Sequence, residues 1–275
     1  VFKVVLWNVN KPESELRQAA VSTAVAALVD NLDPDVIAFV EPPKPGSTVH
    51  GLLLKLHFHL WEAAGSRFAV FSKFSSRLAI SFEPPSSPTR YEAWQLALPE
   101  RKDLNLFLVH GRDRRNHNPP ARESDMRQLA EDVRLMERLS GHDNTILLGD
   151  FNDRPFDPSL LRFDFLHSTN SRNAAVGVRE LRGRKSAAFY NPSWSLLSDV
   201  HGGVPGTYYL KSPDEDEMHW NVIDQFMLRA SLVPAFEPGG IRVITKAGGY
   251  EFLSALDRPL AEISDHLPVL LELDT

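Results

Sequence analysis

The chain has no cysteine among its 275 residues. Disulfides, thiolate metal sites and cysteine nucleophiles are therefore excluded, and a reducing compartment, the cytoplasm, is the expected location. No run approaches the roughly 18 apolar residues of a membrane span. Residues 1–7 alternate like a strand and lack the layout of a signal peptide. The chain starts at Val1 without a methionine, which leaves room for a removed targeting segment. Excess positive charge is missing too: 30 Lys and Arg stand against 36 Asp and Glu, a net charge of −6. Such a chain is not a strongly basic nucleic-acid coat, and any polyanion it handles must meet a local basic patch or bound cations. Repeats, low-complexity tracts and Gly/Ser linkers are also absent. Residues 1–275 are expected to form a single domain and to act as a monomer, with 43% hydrophobic content supplying a substantial core.

What is present is organised around residues 145–153. A short apolar run, Ile146-Leu147-Leu148, reads as a buried strand that stops at Gly149 and is followed by Asp150 and Asn152. Side chains at i and i+2 leave a strand on one side, so the carboxylate and the carboxamide can face one spot. In α/β architectures the mouth at a strand's carboxyl end is a common ligand position. An ordinary Gly-Asp turn explains the same residues equally well.

The remainder alternates helical and strand-like stretches. Residues 2–7 read as a strand and 13–32 as a helix, with Leu16, Ala20, Ala24, Leu28 and Leu32 in one stripe and Val21 and Val25 beside it. Pro12 suits its first turn and Asp33-Pro34 its end. A near-continuous apolar strand follows over 35–41, and this β–α–β opening argues for a sheet covered by helices. A short helix is expected over 48–56. Strands are expected over 57–61, 67–71, 78–82, 91–98 and 104–110, with Pro/Ser-rich joints such as 84–88. A second long helix, 122–139, places Met126, Leu129, Val133 and Met136 inward. Further strands are expected at 222–228, 241–245 and 268–273. Residues 166–220 read as a long irregular segment, the kind usually kept for function.

Apolar strands along the whole chain end in single polar groups: Asn8, Glu41, His110, Asp150 with Asn152, Asp224, and Ser264-Asp265-His266. Taken singly, each has a bland explanation as a turn, a cap, a surface end or a buried core residue. Six coincident strand ends reverse that balance.

In order, Trp7-Asn8-Val9-Asn10, Glu41, Val109-His110, Gly149-Asp150-Phe151-Asn152, Ile223-Asp224 and Ser264-Asp265-His266 resemble the endonuclease/exonuclease/phosphatase superfamily, of the exonuclease III and DNase I type. The resemblance spans residues 2–273, and Gly-Asp-x-Asn with a distal Ser-Asp-His is its most specific part. It implies a four-layer α/β sandwich, two mixed sheets packed face to face with helices outside. It also implies that His266 pairs with a carboxylate, the position Asp224 matches.

Such residues suit phosphoester hydrolysis, which needs negative charge on phosphorus neutralised and a water deprotonated in line. Glu41 is a hard oxygen ligand for Mg²⁺ or Mn²⁺, with Asn8 and Asp265 completing the metal site. His266 with Asp224 forms a proton-transfer unit, His110 and Asn152 donate to phosphate oxygens, and Asp150 handles the proton of the water. Either Asp150 or His266 can be the base on this reading. Val40 stands where many relatives carry a glutamine, so any hydrogen bond from that amide is missing.

Arg112, Arg114 and Arg115, with Arg122, form the obvious cationic cluster and are expected to contact substrate; a solvated loop is the bland alternative. Tyr190, Trp194, Tyr208, Tyr209 and Trp220 either stack bases or anchor the loop. The acidic run 214–217 is expected to be a solvated turn. The expected activity is a Mg²⁺- or Mn²⁺-dependent phosphodiesterase acting on DNA or RNA. A phosphomonoesterase or an inositol-phosphate or phospholipid hydrolase is the enzyme alternative, and a catalytically silent binding module the non-enzyme one.

Overall fold

The computed structural model describes all residues except 62–64, 66, 87, 88, 100, 201, 202, 216 and 275. Part of the expected joint 84–88, one residue of the acidic run and His201 thus lie outside the described residues. One mixed sheet runs, in spatial order, Ile241–Val243, Val269–Leu273, Phe2–Asn8, Val36–Val40, Phe68–Ser72 and His59–Leu60. The second runs Ala79–Phe82, Tyr91–Leu96, Leu104–His110, Thr145–Asp150, Asp224–Arg229, Phe189–Tyr190 and Ser168–Thr169. The central strands carry apolar residues on both faces because both faces are covered. Val4, Leu6, Val36, Ala38 and Val40 of the first sheet meet Leu106, Leu108, Ile146, Leu148 and Phe226 of the second in the inter-sheet core. Their alternating neighbours pack outward, Val5, Trp7, Ile37 and Phe39 against helices Glu15–Leu32 and Thr48–Lys55, and Phe107 and Leu147 against helix Pro119–Ser140. The result is the expected helix–sheet–sheet–helix sandwich.

Several local expectations are corrected. The first helix begins at Glu15, capped by Ser14, whose side chain accepts from the Arg17 amide, so Pro12 precedes it. Its buried face is Val21, Ala24, Val25 and Leu28, whereas Leu16 is 87% exposed. Asp33, in the left-handed conformation, ends it by donating its amide to the carbonyl of Val29. Gly149 does not end its strand. It sits inside Thr145–Asp150 at φ 147°, where a Cβ would come within 2.0 Å of the Val109 carbonyl oxygen, so only glycine lets the neighbouring strand approach. Within the segment expected to be irregular, Val178–Leu181 and Arg184–Ala187 pair as a hairpin. Its residues are almost all exposed, so it lacks the alternation by which a half-buried strand is recognised.

Candidate active site

The inter-sheet core ends in a polar row. In register, His110 is paired with Asp150, and Asp150 with Asp224. Directly paired residues project from the same face of a sheet. Each of the three continues the inward-facing alternation of its own strand: Leu106 and Leu108, Ile146 and Leu148, then Phe226 and Leu228 on the third. Asn8 does the same after Val4 and Leu6 in the opposite sheet, and Glu41 follows Val40 directly. The site is thus the place where the sandwich interior turns from hydrocarbon to polar. Asp224 begins its strand rather than ending one; because that strand runs antiparallel, its start reaches the same rim.

These groups are tied together. Asn8 Nδ2 donates to Asp150 Oδ2 at 3.0 Å, and the Asn152 amide donates to Asp150 Oδ1 at 2.9 Å. Asn152 reaches the cleft through a left-handed turn (φ 53°), not through strand alternation, and its Nδ2 donates to the Gly111 carbonyl at 3.1 Å. His266 Nδ1 lies 2.9 Å from Asp224 Oδ2, and Nε2 of the same ring lies 4.0 Å from Asp150 Oδ2. The Thr207 hydroxyl donates to Asp224 Oδ2 at 2.7 Å. The Tyr208 ring packs on the imidazole, centroids 4.7 Å apart. Glu41 Oε1 is 3.5 Å from His110 Nε2, and Asn10 Nδ2 donates to Asp265 Oδ1 at 3.1 Å. Asn8, Glu41, His110, Asp150, Asn152, Asp265 and His266 all face one cleft of about 520 Å³, and Asp224 is buried behind His266.

Burial by itself pushes the His266 imidazole toward neutrality, but the charge and hydrogen bond of Asp224, then Asp150 and Asp265, outweigh it and raise its pKa to about 10. Burial and the nearby Asp224 carboxylate raise Asp150. His110 is lowered to about 3, first by burial and then by Arg67 and Arg90, so its ring is neutral near pH 7.

The donor chemistry fits a hard divalent cation. Glu41 is a half-buried carboxylate that lies 3.5 Å from the neutral His110 ring and 3.9 Å from Lys11 Nζ, leaving its oxygens available. Asp265 and Asn8 add oxygen donors in the same cleft. A tighter acid–histidine group, Asp150, Asp224 and His266, has ligand atoms all within 4.8 Å. There, however, the imidazole and the Thr207 hydroxyl already occupy Asp224 Oδ2.

The basic cluster divides. Arg114 and Arg115 line the cleft, with Arg114 also paired to Asp157 at 2.7 Å and Arg115 donating to the Ser212 carbonyl at 3.3 Å. Arg112 does not line it: its Nε is held 2.6 Å from Asp125 of the long helix, and Arg122 is likewise taken by Asp153. Sequence reasoning missed Arg67, Arg90 and Arg154, which also face the cleft. They lie at strand starts and in a turn, where no motif flags them. The loop aromatics act as anchors: Tyr190 packs on Phe236, Tyr209 on His219, Trp220 on Tyr209, and Trp194 on Phe156. Asp214 and Glu215 are exposed in a turn closed by the Glu217 amide donating to the Asp214 carbonyl at 3.0 Å, as expected, and Glu217 also faces the cleft.

With this sandwich and this site, the chain belongs to the Endonuclease/Exonuclease/phosphatase family, whose sequence model matches residues 5–266. The family comprises phosphoester hydrolases that generally depend on a divalent metal. Among solved structures it is similar to a 3′ phosphatase, NExo, from Neisseria bound to product DNA hairpin, at 18% identity and TM-score 0.60, covering 100% of each chain. It is also similar to an AP endonuclease from Archaeoglobus fulgidus, at 14% identity and TM-score 0.59, again over 100% of both chains. D. rerio TDP2 complexed with single-strand DNA product is similar at 16% identity and TM-score 0.59, covering 100% of this chain and 99% of that one. No curated protein matches. No helix among the described residues is long and apolar enough to cross a membrane.

Proposed function

We propose that the chain is a Mg²⁺- or Mn²⁺-dependent phosphodiesterase of the nuclease type, acting on DNA or RNA. One observation carries this reading: the row His110–Asp150–Asp224, completed by His266, with Glu41 beside His110 at 3.5 Å. The scissile phosphate sits between the Asp150–His266 wall and the Glu41–His110 wall. Asp150, disposed toward protonation by burial, takes the proton of the attacking water. His266, whose proton Asp224 stabilises, offers Nε2–H to the charge growing on phosphorus, with Asp224 fixing the ring through Nδ1. Neutral His110 and the second amide N–H of Asn152 donate to non-bridging oxygens. Asn8 holds Asp150 in place through Nδ2. A cation held by Glu41, Asp265 and Asn8 supplies neutralisation of the phosphate charge when bound. The arginines of the cleft and the DNA in two of the similar structures support a nucleic-acid substrate.

A panel of single-stranded DNA, duplex with an abasic site, RNA and inositol phosphates, each with Mg²⁺, Mn²⁺ or EDTA, tests the reading. Cleavage of a nucleic acid that EDTA abolishes is expected. No turnover with either metal would overturn it in favour of a silent binding module, and equal turnover in EDTA would overturn the metal dependence.

A further inference from the structure

Two arginines on the cleft wall stand apart from the rest. Arg114 is paired to Asp157 and Arg154 donates to Asn221 Oδ1 at 2.9 Å, whereas Arg67 and Arg90 make no ion pair or side-chain hydrogen bond among the described residues. Their backbones pin them beside the reacting groups. The Arg67 carbonyl accepts from the Glu41 amide at 2.9 Å, and the Arg90 carbonyl accepts from the His110 amide at 2.8 Å. Arg90 Nε is buried without a partner. Asp125 and Asp113, the carboxylates acting on Arg90 from longer range, are already engaged, one with Arg112 and the other with Asn116 and His117. Arg67 bears on the charge of Arg90, and both press on His110. Holding two like charges together at a partly buried wall is unfavourable unless an anion joins them, and the planar donor fork of arginine matches phosphate oxygens.

We infer that Arg67 and Arg90 form an anion subsite that binds a second phosphate of the substrate, next to the one being hydrolysed. This rests on the hydrolase reading above and narrows it: the preferred substrate carries two phosphates close together. A neighbouring or terminal phosphate of a nucleotide chain and a second ring phosphate of an inositol share that chemistry.

The test compares substrates that differ by one phosphate: dithymidine monophosphate with and without a terminal phosphate, and inositol bisphosphate against monophosphate. The wild-type protein is expected to gain in kcat/KM from the added phosphate in one of the two pairs, which identifies the source. Arg67→Gln and Arg90→Gln should each cut that gain about tenfold, and the lysine variants should recover part of it. The salt dependence of KM for the two-phosphate substrate should flatten as well. No gain in either pair, or a gain that the glutamine variants leave intact, overturns the subsite. Should the wild type turn over none of the four with Mg²⁺ or Mn²⁺, the hydrolase reading fails separately. Calorimetry with pyrophosphate against phosphate then decides the subsite: pyrophosphate affinity about tenfold weaker in the variants supports it, and equal affinity overturns it.

Discussion

Asp150 and Asp224 face each other across an antiparallel strand pair, both buried, with one imidazole reaching both. Opposed carboxylates in a sheet repel, and His266 is what makes the arrangement tolerable. The two carboxylates raise the proton affinity of His266, and Asp224 raises that of Asp150 while His266 lowers it, so the three groups titrate together and form the candidate proton path.

Asp150→Ala and His266→Ala are each expected to lower kcat on the order of 10²–10⁴-fold while the fold persists. Steady-state kinetics with circular dichroism checks this. Near-wild-type turnover in either variant contradicts its role.

Stability should vary with pH in two arms in metal-free buffer. A charged His266 contributes stability that is complete below its unfolded pKa of 6.5 and is lost as pH rises toward about 10. His110, depressed from 6.5 to about 3, acts oppositely: the unfolded ring binds a proton first, so stability falls as pH drops below 6.5. Thermal melts in EDTA should show both arms. His266→Gln should flatten the alkaline arm and His110→Gln the acid one; unaltered profiles would contradict the two protonation states.

Glu41→Ala should raise the Mg²⁺ concentration needed for half-maximal activity by about tenfold or more, because a hard anionic ligand is lost. Metal titrations of both proteins measure it. An identical requirement would place the cation elsewhere.

Thr207→Val removes the hydroxyl that donates to Asp224 at 2.7 Å while keeping the side chain's shape. About 1–2 kcal/mol of stability should be lost in denaturant unfolding. The alkaline limb of the kcat profile should also move, since Asp224 sets the proton affinity of His266. Loss of stability with an unmoved profile would make Thr207 merely structural.

The layers were legible because central strands covered on both faces must read as apolar runs, and Ile37-Ala38-Phe39-Val40 and Leu106-Phe107-Leu108-Val109 do. The long helix was legible through Met126, Leu129, Val133 and Met136, all of them buried. The polar ends of those strands were visible for the same reason: a hydrophilic residue breaking an apolar alternation stands out. Arg67 and Arg90 were not visible, since nothing local distinguishes a cleft arginine from a solvated one. Arg112 misled because a basic residue near His110 says nothing about Asp125, thirteen positions on, which takes it. The hairpin at 178–187 has no buried face to write a pattern into the chain.

Strand Phe2–Asn8 lies between Val36–Val40 and Val269–Leu273, and Asn8 and His266, far apart in sequence, enter the same cleft. During synthesis the first strand therefore waits, one edge unmatched, until residue 273 has cleared the ribosome. A chain still short of residue 266 therefore holds neither the Asp150–Asp224–His266 group nor a closed cleft, so whatever chemistry the cleft performs waits on the strand that completes the first sheet.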